Sequence, residues 1–287
     1  MLKLNKVIVL LGFSLLVNVV SVGVVAGEGY EKRNSWSQKN NFGWDRGKIK
    51  SHVKKEWDED RGDFYDQNVD LHKAIFDGIT HDVNPIVVFG EPKGSKLEFL
   101  RTGASTCGKY LYVKATVPPG SGPPPHLHHW TEEWFYTPTG GVVMFQGQTE
   151  YKDLDVAPDV AGRDLVELIP LEKHFLTYGP TYKVHGYTNA TDKPIEMHIV
   201  WTPDTPDVSI LGYFLSIYSP IFEDDDLNTN FHSVQQIKAV SEAKKYGMNF
   251  SQSFWQYIED IRFAKADVDP KVDKLIQVLR EGDMPCE

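Results

Sequence analysis

Between His126 and Glu133 the chain places three imidazoles (His126, His128, His129) and two carboxylates (Glu132, Glu133). Imidazole nitrogen and carboxylate oxygen together suit a divalent first-row metal. The same groups can carry protons near neutral pH. On a β-strand alternate residues share a face, so His126 and His128 point one way and Leu127 the other. A turn a few residues later can swing a carboxylate to the same point. The three prolines ahead of them, Pro123, Pro124 and Pro125, cannot join a helix and hold the approach extended. Their effect is to aim the two imidazoles.

Such a pair needs a frame, and residues from about 84 onward supply one. PIVVFGE, KLEFLR, KYLYVKATV, EWFYT, GVVMFQG, KHFLTY and EMHIVW are short runs rich in Val, Ile, Phe, Tyr and Trp. Gly, Pro, Asn and Asp punctuate them, which is the texture of an all-β sandwich or barrel. In KYLYVKATV the alternation puts Leu111, Val113, Ala115 and Val117 on one face. After about residue 230 the period turns helical. Ser233-Val-Gln-Gln236 matches a capping box, Val234, Ile237 and Val240 form one side, and Gly247 is the stop. Phe254, Ile258 and Ile261 are spaced for a second helix. Asp269-Pro270 opens a third, with Val272, Leu275, Ile276 and Leu279 on one stripe and Gly282 past its end.

The chain has 287 residues, 41% apolar and 12% aromatic, enough for one large domain with a core. MLKLNK followed by VIVLLGFSLLVNVVSVGVV and small residues reads as a secretory signal peptide over 1–26, cut near Ala26 or Gly27. An uncleaved membrane anchor is the alternative. Losing Lys3 and Lys6 takes the formal charge from −10 to −12, which disfavours nucleic acid and acidic lipid as partners. Residues 27–80 form a polar N-terminal arm that nevertheless holds Trp36, Trp44 and Trp57. The barrel is expected over 81–210 and a helical extension over 211–287. Asp224, Asp226, Asn228 and Asn230 alternate, but Thr229 and Gln235 stand where a calcium loop wants Gly and Glu, so a solvated loop is expected. Cys107 and Cys286 are the two cysteines. In an oxidising compartment they can pair, and neither has a CxxC context. Asn189-Ala-Thr and Asn249-Phe-Ser are sequons for glycosylation, with Asn249 the better candidate.

Gly120, five residues, His126-Leu-His128, four residues, Glu133, six residues, Gly140: this spacing resembles the first motif of the cupin superfamily. In that motif the two histidines and the glutamate are metal ligands and the glycine turns a hairpin. Only Glu133, not Glu132, has six residues before Gly140. Pro180, His185 and Asn189 resemble the second motif, which supplies one more histidine ligand. Two of its glycines are replaced here, by His174 and Tyr182. The resemblance covers roughly residues 84–205, with an inserted loop around 152–166. It implies a single-domain double-stranded β-helix of the jelly-roll type. It also implies a metal site of His126, His128, Glu133 and His185.

His129 and Glu132 have the wrong parity for the site. His174 and His198 are read as structural, and Trp130, Trp134, Phe135 and Tyr136 as core. Phe135, sharing the parity of Glu133, and Tyr182, beside His185, are candidate pocket residues. The ligand set accepts Fe, Mn, Ni, Cu or Zn. One or two positions stay open for water, substrate or dioxygen. Glu133 is then a ligand or, if it swings off, a general base. The HxHxxxxE-WFY pattern after the prolines looks more like the small quercetinase-type oxygenase cupins than like germins. A secreted dioxygenase-like enzyme on a small organic molecule is therefore the leading expectation. A non-redox isomerase, lyase or decarboxylase is the first alternative, and a non-catalytic binding or structural module the second. Self-association into a homo-oligomer is left open.

Overall fold

The architecture follows from where each short apolar run finds a partner. A computed structural model describes residues 68–90, 94–156, 158, 164–217, 232–251, 258–263 and 270–286. The strands in chain order are β1 (Ile86–Gly90), β2 (Ser95–Arg101), β3 (Leu111–Val117), β4 (His126–His128), β5 (Glu132–Thr137), β6 (Val142–Glu150), β7 (Asp164–Leu171), β8 (Phe175–Gly179), β9 (Lys183–Asn189), β10 (Ile195–Thr202), β11 (Met248–Phe250) and β12 (Ile258–Phe263). The helices are α1 (Val69–Asp77), α2 (Ile210–Ile217), α3 (His232–Ala243) and α4 (Val272–Gly282). Two six-stranded sheets result, ordered β1-β2-β3-β10-β5-β8 and β11-β4-β9-β6-β7-β12. Every pairing is antiparallel except that of β12 with β7. Two such sheets face to face make a jelly roll, the all-β barrel expected.

Alternation sorts side chains between two apolar clusters. Leu111, Val113, Ala115 and Val117 of β3 lie in the inner cluster, with Phe135, Met144, Tyr187, Ile199 and Trp201. Tyr112, between them in sequence, belongs to an outer cluster with Trp134, Tyr136, Leu176 and Val200. That outer face is not left to water. Phe76 and Ile79 from α1 and its end, and Val272, Leu275 and Leu279 from α4, cover it. This explains why β5 and β8 bury residues of both parities, which a two-layer barrel alone would not do.

Arg101 ties these coverings together. Its guanidinium donates to the Thr80 hydroxyl, to Asp283 Oδ1 at 3.0 Å and to the Ser105 carbonyl at 2.9 Å. It also reaches the Gly282 carbonyl at the end of α4 (3.3 Å), where a cation is favoured by the helix dipole. Gly282 is the last residue of α4 rather than the residue past it. A Cβ there would sit 2.4 Å from the Tyr110 ring, so close packing is what demands glycine. Cys107 and Cys286 are joined in a disulfide, Cα to Cα 5.4 Å, that fastens the segment after α4 to the loop before β3.

Three expectations change. The helix expected from Phe254, Ile258 and Ile261 is in its described part the strand β12, parallel to β7. Apolar spacing over so few residues fits either element, and a distant open edge decided it. The arm contains α1, begun by Asn68, whose side chain accepts from Leu71 N at 3.1 Å. His72 and Phe76 are its buried face. In α3, which starts one residue before Ser233, Val240 is exposed at 39% while Ala239 and Ala243 turn inward. Gly247 does stop the following turn, at φ 68°. The signal segment, the tryptophans of the arm and the acidic run at 224–230 lie outside the described residues.

The disulfide closes a loop of 179 residues. Replacing Cys286 with Ser is expected to lower unfolding stability by about 3–5 kcal/mol, most of it from the unfolded chain. Urea titration of the variant against the wild-type checks this, and a shift below about 0.5 kcal/mol would mean the crosslink constrains nothing.

Candidate metal centre

Strand register assembles the site. His126 of β4 is paired with His185 of β9, and His185 in turn with Gln146 of β6. Antiparallel partners project to the same face, so Phe250, His126, His185 and Gln146 form one inward row. Facing it from the other sheet is the row Leu111, Trp201, Glu133 and Gly179. His128 sits two residues on from His126, as strand parity requires. One donor atom from each of His126, His128, Glu133 and His185 falls within 4.8 Å of all the others. Their exposures are 5%, 1%, 1% and 0%.

Each imidazole is oriented by its other nitrogen. His126 Nδ1 donates to the Pro124 carbonyl at 2.8 Å, and His185 Nδ1 to the Lys183 carbonyl at 2.9 Å. His128 Nδ1 is 3.0 Å from the Thr131 hydroxyl. With Nδ1 engaged, Nε2 is left to face the centre, the arrangement that metal-binding histidines adopt. Glu133 Oε2 lies 3.1 Å from Nε2 of both His128 and His185. Among the described residues His128 Nε2 makes no hydrogen bond despite that approach, which leaves a buried polar atom at the centre. Three imidazole nitrogens and one carboxylate oxygen around a common point fit a first-row divalent cation.

The protonation states suit it too. Burial, then the neighbouring His185 and His128 rings, push His126 down to about 3. Burial likewise lowers His128, against the pull of Glu133. For Glu133, burial acts upward but the two facing imidazoles outweigh it and hold the carboxyl at about 2. Neutral rings around an ionised carboxylate are the forms that coordinate.

The remaining expected residues fall as follows. Glu132 faces outward, accepting from the Tyr178 hydroxyl at 2.6 Å and pairing with Lys274 and Lys271. His129 packs edge-on against Tyr182, ring centres 5.6 Å apart, away from the cluster. Tyr182 therefore meets His129 rather than a ligand. Phe135 does reach the site, 6.0 Å from the His185 ring. His174 bonds the Tyr136 hydroxyl through Nδ1 (2.7 Å), and His198 bonds Glu196 through Nε2 (2.6 Å). Trp134 and Tyr136 are buried, whereas Trp130 is 42% exposed. Asn189 does not suit a glycan. It is 1% exposed, and its amide donates to the Val117 and Lys193 carbonyls at 2.9 and 2.7 Å. Asn249 lies in β11 with its amide donating to the Leu154 carbonyl at 2.9 Å.

Four backbone positions carry the motif's geometry. Gly120, Gly140, His174 and Tyr182 have φ of 63°, 70°, 66° and 68°. The two replaced glycines thus keep the left-handed turn without the residue that adopts it most easily. Gly140 admits no replacement, since a Cβ would meet Lys173 N at 2.7 Å.

No family model and no curated protein matches the chain. Solved structures that resemble part of it include a recombinant oxalate oxidase in complex with glycolate, 16% identical, TM-score 0.31, covering 44% of this chain. The chain spans 59% of that oxidase. A predicted oxalate decarboxylase from Thermotoga maritima is 17% identical, TM-score 0.30, over 45% of this chain and 96% of the other. A double-stranded β-helix protein from Klebsiella pneumoniae subsp. pneumoniae is 14% identical, TM-score 0.29, over 40% and 83%. Likeness at this level bears on no chemistry. Strand order makes the barrel a jelly roll, and its four donors stand where the sequence resemblance implies.

Sequence reasoning missed three residues of this site: Trp201 beside Glu133, Gln146 beside His185, and Phe250, whose ring is 5.9 Å from His126. All three are placed by register with distant strands, and no local spacing announces them.

Since His126 and Glu133 both sit below their ordinary values of 6.5 and 4.5, acid favours unfolding. The unfolded chain takes up these protons first, so stability is full above 6.5 and is lost as pH falls towards about 3. Differential scanning of chelator-treated protein should show Tm falling from about pH 7.5 to about pH 4. In His126→Asn the upper part of the fall should be reduced. A flat profile would contradict buried neutral imidazoles.

Proposed function

We propose that this chain is a secreted, metal-dependent enzyme that acts on a small organic molecule, with dioxygen-using oxidoreductase chemistry as the leading reading. The observation that carries the enzymatic part is the buried four-donor cluster. Three Nε2 atoms and one carboxylate, locked from behind by Pro124, Lys183 and Thr131, converge on one point. A metal held by His126, His128, Glu133 and His185 would supply Lewis-acid or redox chemistry there.

The chain's own residues do the rest. The locked imidazoles fix where the ligand atoms stand, so little reorganisation is needed when substrate arrives. Phe135 and Phe250 present apolar rings beside His185 and His126, limiting the water that can compete. Glu133, held ionised, contributes negative charge and can accept a proton if it moves off the centre. Support for secretion is the apolar N-terminal segment together with the Cys107–Cys286 bond, a pairing that persists in oxidising compartments.

One observation favours a non-catalytic alternative. Ile210, Tyr213 and Ile217 of α2, Ala243 of α3 and Met248 of β11 join the barrel's inner cluster. A barrel filled from its own tail could hold a metal or ligand without turnover.

Elemental analysis of protein purified without added metal should find roughly one first-row metal per chain, lost in His126→Ala. Oxygen uptake with flavonoid and diketone substrates then separates the readings. Metal content that survives His126→Ala would overturn the ligand set. Metal without oxygen consumption or product would leave the holding module standing.

A further inference from the structure

Trp201 is the one residue in the inward row of Glu133 that carries a free donor. It is 4% exposed, yet its indole Nε1 has no hydrogen-bond partner among the described residues. A buried indole N–H without a partner is costly, and buried Trp normally finds one. Trp134, equally buried on the opposite face of the same sheet, shows the normal case by donating to the Pro270 carbonyl at 2.9 Å.

The position is specific. Trp201 on β10 is the direct antiparallel partner of Glu133 on β5, so both side chains rise from neighbouring points on the same inner face. The other two members of that row are Leu111 and Gly179, which offer no side-chain polar atom. The Trp201 ring packs against Phe214 of α2, centres 5.9 Å apart. An indole has one donor and no acceptor. What completes it must therefore bring an acceptor atom.

We infer that the Trp201 indole N–H is a substrate-orienting donor, and that the site takes a small organic anion whose oxygen accepts from it beside Glu133. This rests on the metal-site reading of the preceding section and narrows it to oxygen-bearing anions. Trp201 would set which way the ligand lies, while the four donors set where it is held. A substrate without a suitably placed oxygen would leave the indole unsatisfied, and the site would reject it for that reason.

The test uses zinc-loaded full-length protein with the indoles labelled with ¹⁵N and acetohydroxamate, a small oxygen-chelating anion, as the probe. Zinc is diamagnetic, and Trp201→Phe assigns its resonance among the seven indoles. On saturation the Trp201 indole proton should move downfield. Trp201→Phe should keep its zinc while binding acetohydroxamate about ten- to a hundredfold more weakly, the loss of one hydrogen bond to a charged acceptor. Should the variant fold poorly, through-space contacts between the Trp201 and Phe214 rings assign the resonance instead, and its shift in the wild-type protein decides. An unmoved resonance, affinity in the variant within about twofold of wild-type, or no acetohydroxamate binding at all overturns the inference and leaves the metal site intact. Failure of zinc to load the wild-type protein overturns both.

Discussion

Three imidazoles and a carboxylate can be buried together only if every polar atom has somewhere to go. The Nδ1 side is where the protein solves this. His126 and His185 each donate to the carbonyl two residues earlier, Pro124 and Lys183, a reach that an extended strand makes available. His128 turns instead to Thr131. These contacts choose the tautomer, and the tautomer points three Nε2 atoms at one place. The triple proline takes part directly: Pro125 precedes β4 and has no N–H to donate, and the Pro124 carbonyl ahead of it accepts from His126. The rest of the barrel serves to keep two strands and a hairpin in the register that brings these groups together.

The motif glycines show how far geometry can outlive residue type. His174 and Tyr182 stand in left-handed conformations that cost a non-glycine residue about 1–2 kcal/mol each. Both are held by hydrogen bonds on either side of the strained bond. His174 N donates to the Thr137 carbonyl at 2.7 Å and its ring meets the Tyr136 hydroxyl. Tyr182 N donates to the His128 carbonyl at 2.8 Å while its own carbonyl accepts from Tyr151 N at 2.7 Å. The backbone of Tyr182 thus supports a ligand strand directly, which a glycine there would do with less strain but without the ring that packs on His129.

Much of this was legible in the sequence because it is local. Alternation assigned the inner face of β3 correctly, the two-residue spacing of His126 and His128 paired them, and the glycine spacing selected Glu133 over Glu132. The stripe of Val272, Leu275 and Leu279 in α4 was plain at helical period, as was the stop at Gly247. What escaped depends on partners far along the chain. β12 looks helical until β7 offers it an edge. Asn189 reads as a sequon until its amide is seen bridging the Val117 and Lys193 carbonyls. Trp130 looks like core, yet it lies over Gly247, where a Cβ would come within 2.4 Å of the ring. Trp201 ends the run EMHIVW, read only as strand, and register alone sets it next to Glu133.

The ligand-bearing strand β4 is three residues long and touches β9 in register at a single pair, His126 with His185. On its other side β11 pairs with all three of its residues, and the ladder is extended by His129 N to the Gly247 carbonyl (2.7 Å) and Ser251 N to the Pro125 carbonyl (2.9 Å). The tail is therefore a structural wall of the metal pocket rather than an appendage to it. Cutting the gene at the apparent end of the barrel, near residue 210, would expose β4 as a short, nearly unsupported sheet edge. A barrel cut there would lose the strand that pairs with all three residues of β4.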